Sequence, residues 1–260
     1  MLRALIFDVD GTLADTERDG HRVAFNAAFA DAGLDWHWDV ARYGELLRVT
    51  GGRERILHFI STDAAQIPPA ERDALAHRLH AVKTAHYVRM IGQGAVRLRP
   101  GVARLLGEAR EAGLHLAIAT TTSRANIDAL LAHTLPAAIR DAFAVIAGAE
   151  DAPRKKPGPQ VYQVALAALQ IDPRECFAFE DSAAGLRAAR ACGIPTIVTV
   201  NDYTREQAFN GALAVVSDLG EPDRAAAVVA GAPLQRGLVD VQQLRNWHAQ
   251  YMRIDSRPVD

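Results

Sequence analysis

The sequence predicts an α/β fold: a parallel sheet with helices on both faces, interrupted by an all-helical insertion. Three observations predict it. From about residue 101 to residue 200, strand-length apolar runs alternate with helical stretches, the pattern of a parallel sheet with crossover helices. The first apolar run, Leu5-Ile6-Phe7, ends in Asp8-Val9-Asp10-Gly11-Thr12, a buried strand opening into a loop. Between that loop and the alternating region, residues 16–92 carry only helical patterns.

The totals agree. A chain of 260 residues, 49% apolar, is long enough for a full α/β domain plus a smaller one. The net charge is −2, with dispersed positive residues, which argues against nucleic-acid or anionic-membrane partners. The apolar runs are strand-sized, too short to span a bilayer. The amino terminus enters the first strand with no signal-peptide pattern, and Cys176 and Cys192 read as two reduced thiols. The expectation is a cytoplasmic protein.

In order, the loop after the first strand leads into a helix over residues 17–32. Phe25, Ala28, Phe29 and Ala32 form its apolar stripe, His21 extends the stripe toward the helix start, and Gly33 closes it. Helices follow over residues 39–47, 53–60 and 69–91. An insertion placed right after the first strand is a natural lid. Gly92-Gln93-Gly94 and Arg99-Pro100-Gly101 mark the return to the sheet domain. There the reading is helix 101–112, strand 114–120, helix 124–132 and strand 143–147, then a loop through Pro159 and a helix to about 169. Strand 176–179, helix 182–192, strand 196–200 and a last strand at 213–216 complete the alternation. Beyond Leu219, residues 239–252 are the stretch with helical character.

Four stations of chemistry sit where the chain leaves strands. Asp8 and Asp10 are two apart in an extended segment, so both project from the strand's carboxyl end, where open parallel sheets bind ligands. Two adjacent carboxylates call for a cation between them or a retained proton. Thr120-Thr121-Thr122-Ser123 follows Leu116-Ala117-Ile118-Ala119 and offers hydroxyls and backbone N–H groups to phosphate oxygens. In Arg154-Lys155-Lys156-Pro157 the proline holds Lys156 extended, able to point its ammonium into a crevice. Glu180-Asp181-Ser182 follows Phe177-Ala178-Phe179 and supplies further carboxylates for a hard cation. Each station alone has a plain structural reading: an acidic turn, a helix cap at Ser123, a solvated basic loop, an acidic N-cap. The four in this order do not.

With those residues in hand, the chain resembles the haloacid dehalogenase superfamily, whose four motifs match Asp8-Val9-Asp10-Gly11-Thr12, Thr120, Lys156-Pro157 and Glu180-Asp181. The resemblance implies a Rossmann-like core over residues 1–15 and 93–260 and a helical, substrate-selecting cap over 16–92. It implies Asp8 as nucleophile, Asp10 as general acid/base, Thr120 as phosphate donor and Lys156 as the balancing cation. The implied cofactor is Mg2+, held by Asp8, the Asp10 backbone carbonyl and Asp181, with Glu180 acting through water. Dehalogenase members need neither metal nor a second carboxylate, so Asp10 and Asp181 speak against that activity.

The insertion should select the substrate. Glu17 and His21 are four apart, on one helical face beside the catalytic loop. Thr50-Gly51-Gly52-Arg53 joins flexible glycines, a helix start and a guanidinium, a suitable site for a second phosphate. Here the chain resembles the β-phosphoglucomutase-like branch, with Arg53 matching its cap arginine and Lys83 its sugar-contacting lysine. Within that branch Glu17, His21, Tyr43 and Gly51-Gly52-Arg53 are most similar to the Rubisco-associated phosphatases that remove inhibitory xylulose 1,5-bisphosphate. That likeness makes Arg42, Tyr43, Arg53 and Lys83 candidate substrate contacts, with Thr121, Thr122, Ser123 and Asn126 reaching a distal phosphate from the core side. The implied partner is a small sugar phosphate and the expected state a monomer. The competing readings are a phosphosugar mutase, a phosphoglycolate phosphatase and a catalytically silent sugar-phosphate sensor.

Overall fold

The structure, a computed structural model, describes residues 1–255. Among them the sheet has seven strands: β1 (Ala4–Phe7), β2 (His115–Ala119), β3 (Phe143–Ala147), β4 (Cys176–Glu180), β5 (Thr196–Thr199), β6 (Ala214–Val216) and β7 (Val228–Gly231). Their spatial order is β3-β2-β1-β4-β5-β6-β7. All neighbours pair in parallel except β6 and β7, which are antiparallel. The chain fills one side of β1 with β2 and β3, then returns to build the other side from β4 onward. The switch point therefore lies between β1 and β4, where open α/β sheets bind ligands at the strands' carboxyl ends.

Helices α1 (Arg22–Asp31), α2 (Val40–Leu46), α3 (Gly52–Thr62) and α4 (Pro69–Gly92) make up the insertion. The rest are α5 (Val102–Glu111), α6 (Arg124–Thr134), α7 (Ala137–Arg140), α8 (Gln160–Leu169), α9 (Ala183–Ala191) and α10 (Val241–Asp255). Side chains alternate along β1, β2 and β4, and both faces are buried, as expected for a parallel sheet covered by helices. One face is large: Leu5, Phe7, Leu116, Ile118, Phe177 and Phe179 pack with Leu105, Leu130 and Trp247, and Phe7 stacks on Phe179 at 4.5 Å. The other is mostly small: Ala4, Ala117, Ala119 and Ala178 lie beneath Tyr162 and Val161 of α8 and Ala188 and Ala189 of α9. Small residues there let α8 and α9 carry their loops close to the switch point.

The insertion has its own core, in which Phe25, Phe29, Trp38, Tyr43, Ile56, Ile60 and Leu79 are all buried. Trp38 is its centre, with the rings of Phe25, Phe29 and Phe59 within 5.3 Å, centroid to centroid. Two connectors join insertion to sheet, and they pair: Ala14 bridges Leu98, and Arg99 N donates to Leu13 O at 2.9 Å. Arg99 is buried at the seam. Its guanidinium donates to the carbonyls of Gly11, Thr199, Val200 and Ser217 and lies 3.3 Å from Asp15. One side chain thus ties the first connector to the loops after β5 and β6.

Three features depart from the sequence reading. The helix expected over residues 17–32 opens with a π-helical turn, Glu17–His21, a local widening common at functional sites. The short helix α7 and the edge strand β7 were not expected. All four residues of β7 are exposed, so its sequence carries no inside–outside alternation from which a strand could be read. Among the described residues no helix is long and apolar enough to cross a membrane, and both cysteines are free.

Because Trp38 fills the centre of the insertion, Trp38→Ala should lower stability by about 3–5 kcal/mol in denaturant titration. Trp38→Phe should cost less, because the buried indole N–H has no partner to lose.

Candidate active site

The site forms where β1 and β4 release the chain side by side. Asp8 N still donates to Phe179 O at 3.0 Å, so the ladder holds Asp8 in register one residue past β1. Immediately afterwards the backbone turns sharply, with the N–H groups of Leu13 and Gly11 bonded to Val9 O and Ala14 O. Gly11 makes that turn at φ +82°, and a Cβ there would fall 2.2 Å from Asp181 Oδ2. Only glycine fits between the turn and that carboxylate.

Lys156 is the hub. Its Nζ donates to Asp8 Oδ1 and to Glu180 Oε1, both at 2.6 Å, with all three side chains buried. Tyr162 from α8 also donates to Glu180 Oε1, at 2.5 Å. Asp181 lies alongside, its Oδ2 accepting from Asn201 Nδ2 at 2.7 Å. Asp8, Glu180 and Asp181 each offer a carboxylate oxygen within 4.8 Å of the others. Three buried carboxylates face one ammonium, and the titration of each group reflects it. Burial, then neighbouring carboxylates, raise Asp181 well above the carboxylate range; burial outweighs Lys156 to raise Asp8 and to bring Glu180 to about 7. Burial works against the charge on Lys156, but Asp8 and Glu180 outweigh it and raise its pKa.

This donor set fits a hard divalent cation. It is all oxygen, and the buried Glu180 Oε2 has no hydrogen-bond partner. The side-chain cluster excludes Asp10, whose carboxylate turns toward the insertion. Its Oδ1 accepts from Thr16 Oγ1 at 2.5 Å and lies 2.9 Å from His21 Nε2, while Thr122 Oγ1 donates to Oδ2. Burial raises its pKa, yet His21, Thr122 and Thr16 outweigh burial and hold Asp10 below the usual carboxylate range.

From the insertion, Lys83 Nζ lies 2.7 Å from His21 Nδ1, and the His21 ring stacks on Tyr87 at 4.1 Å. Lys83 is buried, which brings its pKa down to about 8. Glu17 accepts from Tyr43 Oη, which in turn accepts from Arg55 Nη1 at 2.9 Å. Two cavities open here. One of about 490 Å³ spans Asp8, Thr120, Lys156 and Asp181 on the core side and Gly51 and Arg55 on the other. A second, of about 420 Å³, runs from Asp10 past Glu17, His21 and Lys83 to Gly52, Arg53, Thr122, Ser123 and Asn126. Thr121 lines both.

The structure thus gathers nearly all the residues singled out in the sequence. Arg42 is the exception and a correction. It pairs with Glu45 and Asp63 at 2.6 Å and lines a separate surface hollow, because α2 turns Tyr43 inward and the preceding residue outward. Arg53 lines the second cavity, but its guanidinium is half-exposed and bonded to Asp73 at 2.9 Å. The sequence reading missed Arg55, Tyr162, Asn201 and Thr16. Arg55 was the most legible, two residues from Arg53; the others are ordinary in type and acquire meaning only through distant partners.

Comparison with known proteins gives the same picture. The sequence pattern of the haloacid dehalogenase-like hydrolases matches residues 2–193. The plasmid protein CbbY of Cupriavidus necator is 48% identical over 248 residues, covering 95% of this chain and 97% of that one. Protein CbbY of Rhodobacter capsulatus is 47% identical, over 89% of this chain and 98% of the other. Two crystal structures of CbbY from Rhodobacter sphaeroides, one with phosphate and one of a variant with xylulose-(1,5)bisphosphate, superpose with TM-score 0.76 at 43% identity, covering 84% of this chain and 95% of theirs. A β-phosphoglucomutase from Clostridium difficile shares the fold, with TM-score 0.71 at 21% identity over 97% of this chain and all of its own. From the buried carboxylates at the switch point to the matched sequence pattern, this chain belongs to the haloacid dehalogenase-like hydrolase family.

Proposed function

We propose that the protein is a magnesium-dependent phosphatase that removes one phosphate from a pentulose bisphosphate, xylulose 1,5-bisphosphate, through a phosphorylated Asp8. The observation that carries this reading is the Lys156 bridge between Asp8 and Glu180 beside Asp181, all buried. It orients the Asp8 carboxylate beside a cavity that Arg55 of the insertion also lines. The likeness to CbbY, crystallised with that bisphosphate, favours the substrate.

Asp8, Asp181 and the Asp10 backbone carbonyl would hold the cation, with Glu180 behind them; when bound it offsets the repulsion between carboxylate and phosphate. Asp8 attacks phosphorus and forms an acyl phosphate as the P–O bond to the sugar breaks. Asp10 protonates the departing sugar oxygen. In the second step it takes a proton from the water that attacks the acyl phosphate, regenerating Asp8 and releasing phosphate. The ionised Asp10 of this structure is in the state the second step needs, and His21 Nε2, 2.9 Å from its Oδ1, fixes where that carboxylate points. Thr120 contributes a hydroxyl beside Asp8, and Lys156 stabilises charge on the phosphoryl oxygens.

On this reading residues 1–15 and 93–260 form the catalytic core and 16–92 the cap that selects substrate. Arg55, Lys83 and Arg53 meet the second phosphate and the sugar from the cap, and Thr121, Thr122, Ser123 and Asn126 meet them from the core. On this reading the protein acts on a small molecule as a cytoplasmic monomer.

The test is phosphate release from sugar mono- and bisphosphates with and without magnesium. Turnover should require the metal, and xylulose 1,5-bisphosphate should show the highest kcat/KM. A preference for phosphoglycolate, or isomerisation of β-glucose 1-phosphate without phosphate release, would refute the reading. Asp8→Asn should abolish turnover with an unchanged circular dichroism spectrum; retained activity would remove Asp8 as nucleophile. Lys83 adds a pH signature. Its ammonium attracts phosphate, and its pKa is lowered to about 8 by burial, so charge is lost as pH rises through that value. kcat/KM should fall above about pH 8, and Lys83→Arg should move that limb upward.

A further inference from the structure

We propose that His80 reads the far end of the substrate: its imidazole takes up a proton and donates a hydrogen bond to the second phosphate, making bisphosphate selection proton-linked. This rests on the bisphosphate reading above and adds a residue and a titration to it.

The placement is specific. His80 lies on α4 and lines the cavity that runs from Asp10 to Asn126. Its ring presses against the loop entering α3, where a Cβ on Gly52 would come within 2.8 Å of both His80 Cδ2 and Nε2. Glycine at 52 therefore leaves the imidazole its place beside the α3 N-terminus. Among the described residues neither ring nitrogen has a hydrogen-bond partner, and Lys155 at the same cavity has no ion-pair partner. On the core wall, the buried Ser123 hydroxyl is also without a partner. Such a collection of unused polar groups between two helix N-termini suits an anion.

The charges around His80 are mixed but unevenly engaged. His77 and Lys83 face it from its own helix, His21 from the π-turn, Lys155 from the loop before α8, and Arg53, Glu54 and Arg55 from the start of α3. Asp10, Glu17 and Glu150 line the same cavity. Arg53 is bonded to Asp73, Glu150 accepts from Arg124 N, and Asp10 and Glu17 are bonded as described above. Burial first, then Lys83, His21, Lys155 and His77, hold the His80 pKa down at about 4, so the free protein carries a neutral ring. A phosphate dianion at that position reverses the balance of charge. Binding then draws in a proton, and affinity falls as pH rises toward the pKa of His80 in the complex, levelling above it.

The test uses the full chain and the variant His80→Gln, with kcat/KM for xylulose 1,5-bisphosphate and for a xylulose monophosphate between pH 6.5 and 8.5. The ratio of the two should drop roughly tenfold in His80→Gln, the loss of one charge-assisted hydrogen bond. Below about pH 8 the ratio should decline with pH in the parent and be flat in the variant; above it both ratios fall as Lys83 loses its charge. Calorimetry of the bisphosphate binding to Asp8→Asn, in buffers of different ionisation enthalpy, should show proton uptake that disappears when His80→Gln is added. Equal losses on the two substrates, or unchanged uptake, would overturn the proposal and leave His80 as packing for Gly52. Failure of the bisphosphate reading shows separately, as a parent protein with no preference for the bisphosphate.

Discussion

One buried ammonium holds together a set of carboxylates that would otherwise repel. Lys156 bonds Asp8 and Glu180 at equal distance, and most of the local architecture serves that geometry. The parallel pairing of β1 with β4 brings Asp8 beside Glu180, and Tyr162 donates to the same Glu180 oxygen that Lys156 holds. Asn201 fixes Asp181 from the loop after β5. Even so the charges do not balance, and burial makes the imbalance costly. The raised titration of Asp8, Glu180 and Asp181 expresses that deficit in positive charge, which a divalent cation among oxygen ligands relieves.

The two sides of the cleft differ in sign. The core side is acidic around Asp8, whereas the insertion brings Arg55, Lys83 and the histidines of α4. On the proposed reading, a substrate with phosphate at each end would match that division, one phosphate meeting Lys156 and the other the cations of the insertion. The two sides can face each other only while the two connectors stay in register. Arg99 does much of this: it grips the Gly11 carbonyl on the catalytic turn and the carbonyls of the β5 and β6 loops. The same β5 loop holds Asn201, so the seam and the buried carboxylate cluster share one support.

What could be read from the sequence was whatever a strand or helix period makes local. Asp8 and Glu180-Asp181 declare themselves because each follows an apolar run; the expectation that Asp10 projects with Asp8 fails because the chain turns just past β1 and aims Asp10 at His21. The insertion is legible because its helical periods are long. By contrast, Tyr162, Asn201 and Arg99 act on partners 18, 20 and 88 residues away, and nothing in their own neighbourhoods marks them. Arg42 shows the opposite failure. Beside Tyr43 it looked equivalent, yet adjacent helical residues point about 100° apart, and only Tyr43 faces Glu17. Strand β7 escaped because an exposed edge strand has no buried face to impose alternation.

The π-helical turn at Glu17–His21 joins these threads. A regular helix from residue 17 would rotate each residue by about 100°; a widened turn shifts that phase just before α1. The shift lets His21 touch Asp10 and Lys83 at once while Phe25 and Phe29, on the same run of chain, still fill the core of the insertion. Without it, a helix committed to burying its aromatic stripe would have less freedom to place His21 between the catalytic turn and α4. The local irregularity is thus the means by which one segment packs for stability and reaches for chemistry. It sits at the junction where the core ends and the insertion begins.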